Sequence, residues 1–434
     1  MNQQKSYQSS FILLTTLFFL WGFITVLVDS LIPRLRELFT LTYFQAGMVQ
    51  FAFFGAYFLL SIPASYILSK IGYKRGIILG LFTMALGCLL FYPAASYRVF
   101  GVFMFAYFIL AGGMTILQVA ANPYVAVLGS EEGASSRLNL SQAFNSLGTA
   151  IAPAVGALFI LSDKIKSKEE IAALTETAKN TYLANEASAV QKPFIGLAIF
   201  ILLIAGIFFF AKLPKLISEA STGTYAEAFK QKNLMLGVFG IFFYVGAEVA
   251  IGSYLVNYFL DMNLVEVIKE NALMKSIAES ILNSGLTEND SKAIVGVFVT
   301  FYWSGAMIGR FIGSYLTKVM KPGKVLGIFA TIAILLILIS ISTSGLVSMW
   351  SILAVGLFNS IMFPTIFTLA IDGIGKLKPK GSGLLCTAIV GGAIIPPLYG
   401  KLTDGVGFKT ALFLVILCYS YILWFGYKNS KKAI

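Results

Sequence analysis

The chain has 434 residues, of which 58% are hydrophobic and only 12% are charged, and its formal net charge is +12. Soluble domains carry about 25% charged residues, so this composition indicates a membrane protein. Histidine is absent and no G-x-x-x-x-G-K-[ST] motif occurs, which argues against Ser-His-Asp or Cys-His catalysis, against Walker-type nucleotide binding and thus against an enzyme.

The basic and cysteine residues exclude further classes. The positive charges lie in gaps between apolar runs and form no basic stripe with interleaved aromatic residues, so we expect no nucleic-acid partner. Cys88, Cys386 and Cys418 have neither the spacing of a disulfide framework nor that of a metal site. We therefore expect no cofactor and no resident metal.

Pro, Gly and charged clusters divide the chain into apolar segments long enough to cross a bilayer as helices. The first begins near Phe11, is too long for a signal-peptide core and has no cleavage site after it. The apolar runs are continuous rather than alternating, which excludes a transmembrane β-barrel. In chain order the predicted spans cover residues 10–38, 43–69, 76–96, 99–128, 137–161, 193–212, 233–260, 293–317, 323–343, 346–374, 382–403 and 407–427.

Lysine and arginine predict the orientation of these spans. With the amino terminus inside, the inside segments hold many more of these residues than the short outside loops do. The positive-inside rule therefore places both termini in the cytoplasm. Lysine outnumbers arginine and no eukaryotic targeting feature occurs, which favours the cytoplasmic membrane of a bacterium.

The spans repeat in two sets of six. The segment "LPKLISEASTGTYAEAFKQKN" (213–233) joins spans six and seven. The basic turn "SYILSKIGYKRG" (65–76) after span two has a counterpart, "GSYLTKVMKPGK" (313–324), after span eight. Each half also has a proline late in its fourth span, Pro123 and Pro364.

This organisation resembles that of major facilitator transporters, which are built from two six-helix halves with the substrate near the midplane. The first turn resembles their loop motif G-x-x-x-D-[RK]-x-G-[RK]-[RK], with Ser65 in place of the glycine and Ser69 in place of the aspartate. We predict an all-α membrane protein with the major facilitator fold and twelve transmembrane helices in two pseudo-symmetric bundles. The amino-terminal bundle covers 1–213, a cytoplasmic linker 214–231 and the carboxy-terminal bundle 232–434.

Polar side chains recur at helical spacing in four spans of the first half. They are Thr25 and Asp29 in span one, Gln50 and Tyr57 in span two, Gln118 and Asn122 in span four, and Asn139, Gln142, Asn145 and Thr149 in span five. Residues three or four apart share a helix face. The matching face of span eleven, "GLLCTAIVGGAIIP", is almost wholly apolar. Amides that only join helices have no reason to favour one half, so the pattern favours a cavity with one polar and one apolar wall.

Such a cavity suits a sugar, because hydroxyls need amide and carboxylate partners while pyranose C–H faces pack on aromatic rings. Tyr302 with Trp303 is the candidate stacking platform, and Asn359 is the only amide in span ten. Interhelical hydrogen bonding is the alternative role of each amide. The predicted substrate-binding residues are Asp29, Gln50, Gln118, Asn122, Gln142, Asn145, Tyr302 and Asn359.

Two acidic residues fall inside spans, where a charge costs about 2.5–3.5 kcal/mol. Asp29 precedes further apolar residues and is predicted to face the cavity and bind substrate, cation or both; contact with the outer headgroups is the alternative. Glu248 lies mid-way along span seven. Pairing with Arg310 is its alternative role, although Arg310 is expected near the cytoplasmic end of span eight, which argues against direct contact. We predict that Asp29 and Glu248 couple a transported Na⁺ or H⁺.

Several stretches resemble the fucose–galactose–glucose:cation symporter family of the major facilitator superfamily. They are "LTYFQAGMVQFAFFGAYF", "LQVAANPYVAVLG", "RLNLSQAFNSLGTAIAP", "YVGAEVAIGSYLVNY" and "FPTIFTLAIDGIG". The resemblance implies a monomeric symporter in the lipid bilayer that alternates between outward- and inward-open states with a hexose between its halves.

The resemblance also implies residue roles. Asp29 matches the first-span acid of sugar and proton coupling, and Gln142 and Asn145 match sugar-contacting amides. Gln118 stands where the fucose branch has a glutamate, and a glutamine cannot titrate. The glucose/galactose branch is similar here and shares "GAE" around Glu248, so Na⁺ coupling is favoured over H⁺. The alternatives are H⁺-coupled transport of fucose or another sugar, uniport, export of a drug or metabolite, and a membrane sensor.

Overall fold

The computed structural model describes residues 2–38, 43–97, 99–160, 173–214, 223–286 and 290–431. Within these ranges the side chains of 2–6, 29–38, 43–47, 50, 154–160, 180, 183–184, 186–187 and 189–190 are not among those described. The described residues form α-helices and no β-strand.

The helices of the described residues are numbered in chain order. They are α1 (Asn2–Leu38), α2 (Tyr43–Tyr97), α3 (Phe100–Val127), α4 (Ala134–Ile160), α5 (Glu176–Phe210), α6 (Tyr225–Phe229), α7 (Lys232–Asp261), α8 (Leu264–Glu270), α9 (Ala272–Leu282), α10 (Ser291–Val319), α11 (Pro322–Ser342), α12 (Gly345–Asn359), α13 (Met362–Ile371), α14 (Lys378–Thr387), α15 (Gly391–Val406) and α16 (Phe408–Ser430). Two 3₁₀ turns, Gly375–Leu377 and Ala388–Val390, flank α14.

Ten helical segments of the described residues are long and apolar enough to cross a membrane. One of them, Phe51–Tyr97, has 47 residues and contains Gly72 with φ 79°, a backbone conformation that glycine adopts without strain. This turn separates predicted spans two and three. Since α4 covers predicted span five, the described helices account for all twelve predicted spans.

Two predicted loops contain helix. The expected outside loop before span six is helical from Glu176, because the Thr175 side chain accepts a hydrogen bond from the Ala178 N–H and caps α5. The expected loop over 261–292 contains α8 and α9. Apolar residues of both short helices, including Leu264, Ile268 and Ala278, are buried.

Predicted spans ten and eleven are each interrupted. Span ten breaks between α12 and α13, and span eleven breaks at the 3₁₀ turn Ala388–Val390. Pro364 lies in the first turn of α13 and has no N–H to donate to the carbonyl four residues earlier, at Ser360. Such broken helices are typical of the ligand-binding regions of transporters.

The described contacts form two compact units. The first contains Met1–Gly129, Phe144–Gln231 and Gly373–Thr387. The second contains Ser130–Ala143, Lys232–Asp372 and Ala388–Ile434. The division into bundles over 1–213 and 232–434 stays a prediction.

The first unit is held together partly by close helix approach at glycine. A methyl group on Gly113 of α3 would meet the backbone of α2 at Met84 and at the Gly80 carbonyl. Small residues allow this approach in membranes, where helix association depends on packing rather than on the hydrophobic effect. The basic turn of α2 is anchored in the same unit, because Lys74 Nζ donates to the carbonyls of Phe209 (2.8 Å) and Ala211 (2.7 Å) at the end of α5.

The predicted linker contains the short helix α6. The Tyr225 hydroxyl donates to the Ile62 carbonyl at 3.0 Å and contacts the Ser65 hydroxyl, both in α2. Burial raises the pKa of Tyr225, and the contact with Ser65 opposes that rise. Ser65 occupies the glycine position of the degenerate loop motif, and its hydroxyl here contacts α6.

Candidate substrate and cation site

The amides of α3 lie in the interior of the first unit. Gln118 is 7% exposed and Asn122 is fully buried, and their i, i+4 spacing puts them on one face. No hydrogen bond joins the Gln118 amide to another described residue. Because Gln118 keeps part of its surface exposed in this largely buried position, its amide is available to a polar ligand.

The predicted polar stripe of α4 divides between two neighbours. Asn145 Nδ2 donates to the Phe18 carbonyl of α1 at 2.9 Å. Asn139 Nδ2 donates to the Ser135 carbonyl (2.9 Å) and to Thr365 Oγ1 of α13 (3.1 Å). For these two amides the structure has the interhelical hydrogen bonds that were the alternative role. Sugar contact by Asn145 stays a prediction that its carbonyl oxygen and its second N–H would have to fulfil.

The next three predicted substrate-binding residues are Asp29, Gln50 and Gln142. The side chains of Asp29 and Gln50 lie outside the described residues, so their predicted roles stay predictions. Gln142 of α4 is buried, with 7% of its surface exposed.

Glu248 lies in the interior of α7 beside hydroxyl and guanidinium groups. Tyr244, one turn earlier on the same helix, donates its hydroxyl to Glu248 Oε1 at 2.7 Å. Glu248 is not sealed off, because 15% of its side chain is exposed. A partly accessible carboxylate in the middle of a membrane helix is costly and usually functional.

Arg310 reaches Glu248, contrary to expectation. Arg310 Nη2 lies 4.0 Å from Glu248 Oε1, and 16% of the Arg310 side chain is exposed. The sequence argues against direct contact, because Arg310 lies far along α10, toward its carboxyl end. The long arginine side chain spans more than one helical turn and covers that distance. Backbone positions alone do not reveal this reach.

Asn359 and Tyr302 are brought together in the second unit. Asn359, the last residue of α12, donates from Nδ2 to the hydroxyls of Tyr302 (2.6 Å) and Tyr419 (3.2 Å). Its Oδ1 is buried and has no hydrogen-bond partner among the described residues. Tyr302 and Tyr419 also lie close enough to Glu248 to interact with its charge.

The Tyr302–Trp303 pair does not form an exposed platform in this structure. The Tyr302 ring is fully buried, whereas 48% of Trp303 is exposed. The two rings meet edge to face, with centroids 5.0 Å apart. Tyr302 therefore contributes its hydroxyl to the Asn359 cluster, and its ring presents no open face for a sugar.

Tyr244 and Tyr419 were not among the residues predicted from the sequence, and the second half was expected to supply an apolar wall. Span eleven is apolar, but α7, α10, α12 and α16 supply the carboxylate, guanidinium, amide and tyrosine hydroxyls described above. Tyr244 was detectable, because it precedes Glu248 by four residues and shares its helix face. Nothing in the local sequence indicates Tyr419. Among the described residues no cluster of His, Cys, Asp and Glu could hold a metal ion.

Comparison with known proteins assigns the fold. The family model of the Major Facilitator Superfamily matches residues 9–397. The glucose/galactose transporter of Brucella abortus biovar 1 (strain 9-941) is 46% identical, over 99% of this chain and 96% of that protein. The L-fucose-proton symporter of Escherichia coli K12 is 36% identical, over 99% of this chain and 95% of that protein.

A solved structure matches nearly the full length of the chain. The crystal structure of the major facilitator transporter FucP in the outward conformation has a TM-score of 0.87 and 34% identity, and it covers 98% of this chain and 100% of its own. The predicted fold class and the resemblance to the fucose–galactose–glucose symporters are confirmed. The chain therefore belongs to the major facilitator superfamily and is a multi-pass membrane transporter, not an enzyme.

Proposed function

We propose that the chain imports a hexose, D-glucose or D-galactose, by alternating access and in symport with a cation, Na⁺ in preference to H⁺. The observation that carries the proposal is Glu248, a partly accessible carboxylate inside α7 with Tyr244 and Arg310 as partners. The names of the relatives support the sugar, since a protein 46% identical is a glucose/galactose transporter.

The substrate class follows from the buried amides. Gln118 and Asn122 offer donors and acceptors in an apolar interior, as a ligand with several hydroxyls requires. Asp29, Gln50 and Gln142 complete the proposed sugar set in the first half of the chain, with Asn145 as a minor contact through the amide groups that its hydrogen bond to the Phe18 carbonyl leaves over. Tyr302 and Asn359 belong to it through their hydroxyl and amide groups.

The energetics suit a single coupling ion. One monovalent cation entering at about −100 mV releases about 2.3 kcal/mol, and tenfold accumulation of a solute costs about 1.4 kcal/mol. One ion therefore supports accumulation of about fiftyfold. In this proposal the cation neutralises Asp29 and Glu248 and makes the loaded carrier less costly to close than the half-loaded one.

The preference for Na⁺ rests on Gln118. The resemblance places a glutamate at this position in the fucose branch, and glutamine cannot exchange a proton. Proton coupling with fucose or another sugar is the second candidate, because a relative 36% identical is an L-fucose-proton symporter. Export of a drug or metabolite is the third, and an aromatic cavity with fewer amides would suit it better.

The proposal also covers the orientation of the transporter, its membrane and its oligomeric state. The lysine and arginine distribution supports two cytoplasmic termini. The named relatives are bacterial, which supports a bacterial inner membrane. We propose that one chain transports on its own, with the hexose, the cation and the bilayer as its only partners.

The test is uptake into proteoliposomes by the purified full chain. Labelled D-glucose, D-galactose and L-fucose are offered under an inward Na⁺ gradient without a pH gradient, and under the reverse combination. We expect D-glucose and D-galactose to accumulate under the Na⁺ gradient. Accumulation driven by the pH gradient alone selects the proton-coupled candidate, and uptake indifferent to both gradients eliminates coupling.

An Asp29→Asn variant sharpens this assay. It should abolish accumulation against a gradient if Asp29 takes part in coupling. A uniporter needs no acid at this position, so unchanged uptake by Asp29→Asn would contradict symport through Asp29.

A further inference from the structure

Arg310 donates to a carbonyl that the fold leaves without its helical donor. Arg310 Nε donates to the Ser360 carbonyl at 3.2 Å, at the junction between α12 and α13. In a regular helix this carbonyl would accept from the residue four positions later, which is Pro364 and has no N–H. Satisfying this buried acceptor stabilises the interruption, because an unpaired carbonyl in the interior is costly.

The same guanidinium reaches two other segments. Nη1 donates to the main-chain carbonyl of Gln142 in α4 at 3.5 Å, and Nη2 faces Glu248 Oε1 in α7 at 4.0 Å. Arginine presents five donors in a rigid planar fork, which allows one side chain to serve several acceptors at fixed angles. Arg310 thus lies between a carboxylate and two backbone carbonyls on three different segments.

The charge of Glu248 decides how this guanidinium is shared. While Glu248 is ionised, it attracts Arg310 away from the two carbonyls, which lie at the long end of hydrogen-bond range. A cation bound at Glu248 cancels that attraction and repels the guanidinium. Arg310 then gains most by moving closer to Ser360 and Gln142, because a buried positive charge needs acceptors when its counter-ion is neutralised.

We propose that Arg310 is a positioning residue that transmits the charge of Glu248 to the backbone of Gln142 and to the α12–α13 junction. The inference rests on the proposed function, since it requires a coupling cation at Glu248. We expect the bound cation to tighten the Arg310–Gln142 contact and so to fix the part of α4 that carries Gln142. The affinity for sugar should therefore rise when the cation binds.

Among the described groups that face Glu248, no group other than Arg310 could transmit its charge to α4. These groups are Tyr244 on its own helix, Arg310 and Tyr302 on α10, and Tyr419 on α16. The tyrosines are neutral hydroxyls and respond weakly to the charge of a neighbour. Of these groups, Arg310 alone is charged and also contacts α4.

Equilibrium binding of D-glucose to the purified full chain tests the inference, with and without NaCl at an ionic strength held constant by choline chloride. In the wild type we expect Na⁺ to lower the D-glucose Kd about tenfold, within the usual range of coupling between sites. Arg310→Lys keeps the positive charge but loses the planar fork of N–H donors. In this variant Na⁺ should therefore lower the D-glucose Kd by less than about twofold. Arg75→Lys, the same change at an exposed arginine of α2, should behave as the wild type.

The outcomes separate the inference from the proposed function. An Arg310→Lys variant that folds and keeps the full Na⁺ effect would overturn the inference alone, because charge without the fork would then suffice. A wild type that binds D-glucose with no Na⁺ effect would overturn both the coupling and the inference. If Arg310→Lys does not fold, Glu248→Gln neutralises the carboxyl group and keeps Arg310. It should bind D-glucose without Na⁺ as tightly as the wild type does with Na⁺, and binding as weak as that of the Na⁺-free wild type would refute the role of Arg310.

Discussion

The hydroxyls of Ser135 in α4 and Thr368 in α13 lie 2.6 Å apart, and both side chains are buried. One turn further along α4, the amide of Asn139 donates to Thr365, which lies in α13 together with Thr368. These contacts are neutral, and such hydrogen bonds between membrane helices contribute about 1 kcal/mol or less each. They are therefore weak enough to break and form again during a transport cycle.

Cross-linking tests whether these helices must separate. In a background without Cys88, Cys386 and Cys418, the pair Ser135→Cys/Thr368→Cys should oxidise to a disulfide, because the two hydroxyls already touch and a disulfide needs closely spaced Cβ atoms. Under alternating access, the oxidised variant should lose D-glucose uptake, and a reductant should restore it. The measurement is proteoliposome uptake before and after reduction.

The chain offers a matched control for this cross-link. Ser340 and Ser348 are also buried, with hydroxyls 3.0 Å apart, at the neighbouring ends of α11 and α12. Two helices joined by so short a turn need not separate, so Ser340→Cys/Ser348→Cys should transport when oxidised. Full uptake by the oxidised Ser135–Thr368 pair would show that α4 and α13 stay together throughout the cycle.

Ser382 of α14 donates to the Val119 carbonyl of α3 at 2.8 Å. Pro123 deprives this carbonyl of its helical donor, as Pro364 does for Ser360. Ser382→Ala should therefore destabilise the protein by about 1–3 kcal/mol, the cost of an unsatisfied buried acceptor. In a Pro123→Ala background, where residue 123 regains its N–H, the same change should cost little. An equal loss of thermal stability in both backgrounds would contradict this explanation.

Asn145 and Gln118 should respond differently to alanine. Asn145→Ala removes the hydrogen bond to Phe18 and should lower stability by about 1 kcal/mol or less, with a small effect on D-glucose binding. Gln118→Ala removes no described hydrogen bond and should leave the melting temperature unchanged, while it weakens binding about tenfold, or about 1.4 kcal/mol. Thermal melting and binding measured on both variants check the pair. The reverse pattern would make Asn145 the main sugar ligand of the two and Gln118 a packing residue.

Gly113→Ala should destabilise the first unit. Its methyl group would meet the backbone of α2, including the Gly80 carbonyl at 2.8 Å, and such overpacking costs about 1–3 kcal/mol. Gly206→Ala in α5 is the control, because a methyl group there meets nothing within 4 Å. It should be neutral or stabilising by up to about 1 kcal/mol. Equal melting temperatures for the two variants would show that α2 and α3 can move apart at no cost.

The polar residues show which contacts the sequence alone does not reveal. The spacing of Asn139, Gln142 and Asn145 predicts one polar stripe, but spacing does not reveal which neighbour each side chain meets. Asn139 reaches α13 and Asn145 reaches α1, so two amides of one stripe serve different contacts. Local periodicity describes one helix, and the identity of its neighbours is a property of the packed bundle.

The number and kind of elements followed from the chain alone. Continuous apolar runs can satisfy their backbone groups in a bilayer only as helices, and charge and proline mark where each run ends. The doubled basic turns and the doubled prolines indicated the repeat, and five longer stretches carried the resemblance to the symporter family.

Contacts between residues that are distant in the sequence could be identified only in the tertiary structure. Arg310 meets Glu248 because its side chain spans more than a helical turn, and Tyr419 joins Asn359 across 60 residues of chain. Composition and periodicity are local quantities, whereas a buried charge is paired by whichever helices the packing brings beside it. The sequence alone thus determined a twelve-helix transporter with a polar interior, and the packing decided which polar groups meet.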